Sequence, residues 1–177
     1  IHCDVLVIGA GITGVMAAKT AAKNNFKTLL LDEKNEIGGS TIYQNSEHVK
    51  VSDQNSSTWL ENEIFQLKKL DNIEIKTRTS VAAYHGYNYL LARENLTDHL
   101  SPEQKQKKIR QRLLKIRAKK VIVATGSLER PFVFNNNDRP GIMLSSAVKK
   151  YADYYGVATG KKNVFLTNND TGYESAI

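Results

Sequence analysis

The apolar positions fall into short clusters whose period changes along the chain. Residues 4–8 carry Val5, Leu6, Val7 and Ile8 in an unbroken run, the pattern of a short strand buried on both faces. Residues 15–24 are Ala-rich and predict a helix. A second buried strand is predicted at 28–31, ending at Asp32-Glu33. Residues 35–57 are polar and predict a loop. Over 58–70, Trp59, Leu60, Ile64, Leu67 and Leu70 recur at helical spacing. A third strand is predicted at 73–76. Residues 80–84 and 87–92 alternate and turn at Gly86, the signature of a meander. After a polar excursion at 101–108, strands are predicted at 113–118 and at 120–125, the second one buried. Pro131, Pro140 and Gly141 break residues 127–142 into a loop. A helix is predicted at 145–155 and a last strand at 163–167.

Helices thus alternate with buried strands, and a meander precedes the strand at 120–125. That order predicts an α/β fold: a parallel sheet wound on both faces, with an antiparallel β-meander crossover. We expect one domain over 1–160 and the start of a second, truncated module over 161–177. The 177 residues suffice for one compact core. The chain opens directly into an apolar strand and closes just after another begins, and we read it as a piece of a longer protein.

Composition changes this picture at one point only. At 41% hydrophobic and 24% charged, the chain is ordinary for a globular protein. No apolar run approaches the ~18 residues of a membrane span, and no signal peptide is visible. We expect no membrane partner and a cytoplasmic location. The single cysteine, Cys3, excludes an internal disulfide, a CxxC redox pair and a cysteine-rich metal site. The net charge of +7 is local. Nine basic residues and no acid lie between Lys105 and Lys120, and removing those nine leaves the remainder at −2. Such a segment reads as a solvated strand or hairpin face, or as a contact for a polyanion or acidic partner. The interleaved aromatics of RNA-binding motifs are absent, so no nucleic-acid partner is expected. His2, His48, His85 and His99 lack metal-ligand spacing and read as structural or surface residues; no metal is expected. No Ser-His-Asp or paired-carboxylate arrangement can be argued, and the catalytic residues are not expected in this chain.

The chemistry that can be argued sits at the start. Gly9-Ala10-Gly11-Ile12-Thr13-Gly14 lies between a buried strand and a helix, and Asp32 follows 23 residues after Gly9. In the G-x-G-x-x-G turn of a dinucleotide-binding βαβ unit, the first glycine permits the tight turn. The second lets a pyrophosphate approach the backbone, and the third lets helix and sheet pack closely. The phosphates meet free N–H groups and the positive end of the helix dipole. A carboxylate at Asp32 can accept hydrogen bonds from both ribose hydroxyls and repel a 2′-phosphate, which disfavours NADP; Glu33 takes the same role if the strand end shifts by one. These features alone do not choose between NAD and FAD. Gly38-Gly39 follows at the range where a chain passes close to such a cofactor, and Ser40 can donate to a phosphate or ribose. Ala124-Thr125-Gly126 supplies small residues where a strand runs under a dinucleotide. Val81 is placed to lay its backbone against an adenine, or simply to pack in the core. The predicted architecture is Rossmann-like, that of FAD- and NAD-linked flavoproteins with two dinucleotide-binding modules.

Three further stretches are more specific than the glycine turn. They are Tyr87-Asn88-Tyr89 through Glu94-Asn95-Leu96-Thr97-Asp98-His99-Leu100; Lys115-Ile116-Arg117-Ala118-Lys119 into Ala124-Thr125-Gly126-Ser127-Leu128-Glu129-Arg130-Pro131; and Asp138-Arg139-Pro140-Gly141-Ile142-Met143 with Phe165-Leu166-Thr167-Asn168-Asn169-Asp170. Through them essentially the whole chain resembles part of the α subunits of heterotetrameric sarcosine oxidases, which are much longer. The resemblance implies an oxidoreductase acting on the CH–NH group of its donor, demethylating sarcosine to glycine with O2 in a folate-linked reaction. It implies a noncovalently held NAD in this region, in a glutathione-reductase-like FAD/NAD(P)-binding domain, and β, γ and δ subunits as partners. It implies FAD on the β subunit, FMN at the α/β interface, and folate at a distal α-subunit domain outside this chain. Carried over residue by residue, the NAD contacts fall at Gly9, Gly11, Thr13, Gly14, Asp32, Glu33, Lys34, Ser40, Val81 and Thr125. Asn168-Asn169-Asp170 stands where a second dinucleotide turn would place glycines, which agrees with an NAD that is held and not turned over. Two other readings remain open. One is an FAD-binding subunit of a related amine, opine or dye-linked dehydrogenase. The other is a nucleotide-stabilised scaffold that uses the basic segment.

Overall fold

The computed structural model describes residues 1–43, 50–106 and 108–176. It divides into two compact units, one of Ile1–Thr41 with Ser57–Gly126 and one of Ile42–Ser56 with Ser127–Ile177. After the last strand of the first unit, Gly126 has φ of +72°, and the residues after it are irregular up to residue 144. His48, read as structural or surface, lies outside the described residues.

The first unit begins with β1 (His2–Ile8), α1 (Ile12–Lys23) and β2 (Thr28–Leu31). α1 starts three residues before the predicted helix, because Ile12-Thr13-Gly14 already belongs to its first turn. β3 (Lys50–Val51) and β4 (Gln54–Asn55) form a two-residue ladder in the second unit, followed by α2 (Ser56–Lys68). Then come β5 (Ile73–Lys76), β6 (Thr79–His85), β7 (Tyr89–Asn95), α3 (Pro102–Lys105) and β8 (Gln111–Val123). α3 lies in the stretch expected to be a polar excursion. Ser101 and Gln104 form a capping box around Pro102, which suits the first helical position.

One six-stranded sheet runs β5-β2-β1-β8-β7-β6. β5, β2, β1 and the second half of β8 are parallel; β6, β7 and the first half of β8 are antiparallel. β8 is one strand of 13 residues where the sequence predicts two. Lys119-Lys120 does not interrupt it, because a charged side chain on a strand can stay solvated while its backbone continues the ladder.

The sheet has two buried faces. On one, Cys3, Leu6, Leu29 and Leu31 meet Leu90, Ala92, Leu114, Ile116 and Ala118 of the meander. On the other, Val5, Val7 and Leu30 meet Ala10 and Ala18, with Ile73 and Ile75 beside them. β2 is therefore buried on both faces, as its unbroken Thr-Leu-Leu-Leu run requires. Each such leucine contributes about 1.5–3 kcal/mol by leaving water. Ile122 and Val123 at the end of β8 are 36% and 62% exposed, since α1 lies over β1 and β2. Burial also pushes the Cys3 thiol above its ordinary pKa, which makes it unreactive.

Two polar contacts tie the helical layer together. Asn72 donates from Nδ2 to the Ala22 carbonyl at 2.8 Å and the Phe26 carbonyl at 3.1 Å, satisfying acceptors at the end of α1. Lys19 on α1 and Glu63 on α2 form an ion pair, both residues buried.

In the second unit, α4 (Ser145–Asp153) starts on a carboxylate supplied from a distance. Glu129 accepts from the Ser145 N–H at 3.1 Å, the Ser145 hydroxyl at 2.8 Å and the Ser146 N–H at 2.8 Å. These bonds to the ionised form outweigh its partial burial and hold its pKa below the ordinary carboxylate value. The strand predicted at 163–167 does not form: Val164 and Leu166 stand 98% and 71% exposed. A strand needs a neighbour for its backbone groups, and no described strand pairs with this segment. It leads into the short helix α5 (Thr171–Glu174). No helix among the described residues is long and apolar enough to cross a membrane.

The buried ion pair generates a test. Glu63→Ala strands the Lys19 charge and is expected to cost about 3–5 kcal/mol in denaturant unfolding of the complete protein. The double variant Lys19→Met/Glu63→Leu is expected to cost clearly less. Equal costs for the two would show that the stranded charge is not what matters.

Candidate functional site

The site is built where β1, β2 and β8 end and α1 begins. β1 stops at Ile8 and the chain turns at Gly9, with φ of +97°. The Ile8 carbonyl accepts from the Ala124 N–H at 2.8 Å, so the end of β8 lies directly beside the turn. A Cβ on Gly14 would stand 1.8 Å from the Gly9 carbonyl oxygen. No side chain fits there, and α1 can approach β1 only because the position is glycine.

Gly11 differs. Gly11 is the N-cap of α1, with φ of −70°, and no side chain caps the helix. A Cβ on Gly11 would meet nothing closer than the Gly39 Cα at 3.9 Å. The fold itself therefore does not require glycine at 11, whereas a ligand reaching the first turn of α1 would. The Gly38-Gly39 segment folds over the same place. The Gly38 N–H donates to the Ala10 carbonyl at 2.8 Å, and a Cβ on Gly39 would fall 2.8 Å from the Gly11 Cα.

Asp32, just past β2 and 9% exposed, closes the turn from the other side. One carboxylate oxygen accepts from the Ala10 N–H at 2.6 Å, the other from the Lys34 N–H at 2.8 Å. Each oxygen keeps acceptor capacity, since a carboxylate offers roughly four lone-pair sites. The Asp32 backbone is held too. Its N–H donates to the Lys76 carbonyl at 3.0 Å, and its carbonyl accepts from the Thr79 N–H at 2.7 Å. The Arg78 N–H donates to the Lys34 carbonyl at 2.7 Å, with Arg78 at φ of +53°.

Gly9, Gly11, Thr13, Gly14 and Asp32 thus meet at one point, with Ser40 on the adjoining 3-10 turn (Gly39–Tyr43). Thr125 is exposed beside the Gly9 turn. Glu33 is exposed and Lys34 half-buried, next to the Asp32 carboxylate. Val81 sits farther along β6, two residues past Thr79, half-buried against the core and beside a register shift between Val81 and Ala83. Sequence reasoning missed three participants. Ala10 enters the site through its backbone N–H and carbonyl, which its side-chain type does not signal. Thr79 and Arg78 act through backbone groups at a bend with no glycine to mark it. His2, His85 and His99 are exposed, and the described residues hold no group of three His, Cys, Asp or Glu suited to a metal ion.

This geometry agrees with what the chain is similar to. The pyridine nucleotide-disulphide oxidoreductase family matches residues 3–169. The chain belongs to that family. Its α/β fold is the FAD/NAD(P)-type nucleotide-binding fold of that family. With one cysteine, it cannot itself form an internal disulfide. The likeness to sarcosine oxidase α subunits holds along the whole chain. It is 39% identical over 173 residues to the sarcosine oxidase subunit alpha of Corynebacterium sp. (strain P-1), covering 98% of this chain and 18% of that one. The subunit alpha of Rhizobium meliloti (strain 1021) is 36% identical over 175 residues, covering 99% of this chain and 17% of that one. The chain therefore spans under a fifth of the length of these relatives. L-proline dehydrogenase from P. horikoshii has the same fold, with a TM-score of 0.72 at 24% identity over 91% of this chain and 30% of that one.

The two glycines separate by experiment. Gly14→Ala is expected to lose about 1–3 kcal/mol of stability from overpacking, or more if the backbone cannot shift. Gly11→Ala should lose less than about 1 kcal/mol, since its Cβ makes only an ordinary contact with the Gly39 Cα and the cap preference changes. Urea unfolding of the complete protein without bound nucleotide measures both; equal losses would contradict the packing described.

Proposed function

We propose that this chain is the NAD-holding part of a sarcosine oxidase α subunit. In the complete assembly the reaction is oxidative demethylation of sarcosine to glycine with O2, linked to folate. One observation carries the nucleotide-binding reading. The first turn of α1 is uncapped and open at Gly11, while the Asp32 carboxylate is fixed against the same turn. An anionic pyrophosphate and a ribose diol fit that pair of features.

In this reading the N–H groups of the turn and of Thr13 and Gly14 hold the pyrophosphate, aided by the positive end of α1. Asp32 accepts from the ribose hydroxyls with the lone pairs its backbone partners leave free. The carboxylate is held in place by the Ala10 and Lys34 N–H groups, so a 2′-phosphate beside it meets repulsion, which favours NAD over NADP. Glu33 and Lys34 flank the ribose, the Ser40 hydroxyl reaches a phosphate or ribose oxygen, and Val81 offers its backbone to the adenine. Thr125 borders the dinucleotide beside the Gly9 turn. When bound, the dinucleotide supplies charge and hydroxyl groups that join the ends of β1, β2 and α1. No catalytic residue is assigned to this chain, and the partners of the assembly, by likeness to the named relatives, are further subunits.

The test is to denature the complete purified protein and identify the released nucleotides by mass and spectrum. NAD released in proportion to this subunit is the expected result. FAD released from this subunit in its place would overturn the NAD reading in favour of a flavin-binding subunit of a related amine dehydrogenase.

A further inference from the structure

The outer face of the meander has a composition that solvation alone does not explain. In β7 and β8 the residues facing the core are Leu90, Ala92, Leu114, Ile116 and Ala118. Alternation puts their neighbours on the other face, and an antiparallel sheet ordinarily keeps that face polar. Here the cross-strand rungs read Tyr89 with Arg117, Leu91 with Lys115 and Arg93 with Leu113. Each rung pairs one cation with one apolar or aromatic residue. Leu113 is 61% exposed, and Leu91 and Tyr89 are half-buried. The Arg117 guanidinium lies 5.2 Å from the centre of the Tyr89 ring, so this cation is already ordered over an aromatic face.

None of the three cations forms a salt bridge among the described residues. The acids nearby are committed elsewhere: Glu94 to Lys76 and Arg112, Asp4 to Lys119. Successive rungs on one face lie about 7 Å apart, inside the roughly 8–10 Å Debye length of physiological salt. The cations therefore repel one another while the face is free, and an acidic partner relieves that repulsion. Arg and Tyr are favoured in protein interfaces. The apolar member of each rung also has nothing to gain from a phosphate backbone. A mixed cationic and apolar face of this kind suits a protein surface better than a nucleic acid or a lipid headgroup.

We propose that the outer face of β7 and β8 is a docking surface for an acidic patch on another subunit of the assembly. Carboxylates of that subunit face Arg93, Lys115 and Arg117, and its apolar side chains cover Leu113, Leu91 and Tyr89. The inference rests on the reading of the chain as part of a multi-subunit oxidase. The surface is separate from the nucleotide turn, which lies past the end of β1.

Zero-length carbodiimide coupling of the complete purified oxidase, mapped by mass spectrometry, tests it. The expected product joins the Lys115 side chain to an Asp or Glu of another subunit. The exposed Lys23 at the end of α1 serves as the control and yields no such link. The variant Arg93→Gln/Lys115→Gln/Arg117→Gln is expected to release that subunit at roughly half the salt concentration the unaltered complex withstands, with bound nucleotide unchanged. If other subunits are present but Lys115 couples only within its own chain or not at all, the docking face is overturned while the oxidase reading stands. If the protein purifies as a single chain, both fall. Loss of binding to double-stranded DNA or to anionic phosphatidylserine vesicles in the triple variant, with subunit association intact, also overturns the proposal.

Discussion

The closest constraint in this structure is the missing side chain at Gly14. With a Cβ 1.8 Å from the Gly9 carbonyl oxygen, no other residue leaves α1 where it is. That approach lets Ala18 reach Val5, Val7 and Leu30 on the helical face of the sheet. It also brings the start of α1 up to the end of β8, whose Ala124 N–H is bonded to Ile8. Asp32 then fixes the turn from the side of β2 through the Ala10 N–H. The proposed nucleotide site is the space that these backbone contacts leave over.

Much of the fold could be read in the sequence, because its signals were of the kind a single strand or helix carries by itself. The runs at 4–8 and 28–31 are buried on both faces in the structure, and the alternation around Gly86 became β6 and β7. The failures have physical causes. Val164 and Leu166 carry a strand pattern, but a strand exists only beside another, and none pairs with them among the described residues. The sequence pattern ended one strand at 118 and began another at 120, yet a charged side chain at Lys119 leaves the ladder intact. The capping box at Ser101 was present in the letters and went unread in a stretch that looked merely polar.

The candidate site divides the same way. Gly9, Gly14 and Asp32 were legible by spacing, and the structure brings them together. That both Asp32 oxygens accept backbone N–H groups was not legible, because it depends on how the turn folds back on β2. This changes the meaning of the residue. Asp32 is part of the framework of the turn as well as the proposed partner of a ribose, so its loss acts on the fold and the ligand together. The basic segment also became more definite. As letters it was a run of charge; as β8 it alternates with Leu114, Ile116 and Ala118, which places Lys115 and Arg117 together on the outward face.

The measurement that bears most directly on the site is the binding of ADP-ribose and of its 2′-phosphate to the complete protein freed of bound nucleotide. Isothermal calorimetry on the same preparation compares the two. ADP-ribose is the half shared by NAD and FAD, so the comparison does not depend on which of them is held. With Asp32 fixed against the turn, ADP-ribose is expected to bind at least about tenfold tighter, a difference of about 1.4 kcal/mol. Equal affinity, or tighter binding of the 2′-phosphate, would contradict the placement of the ribose at Asp32.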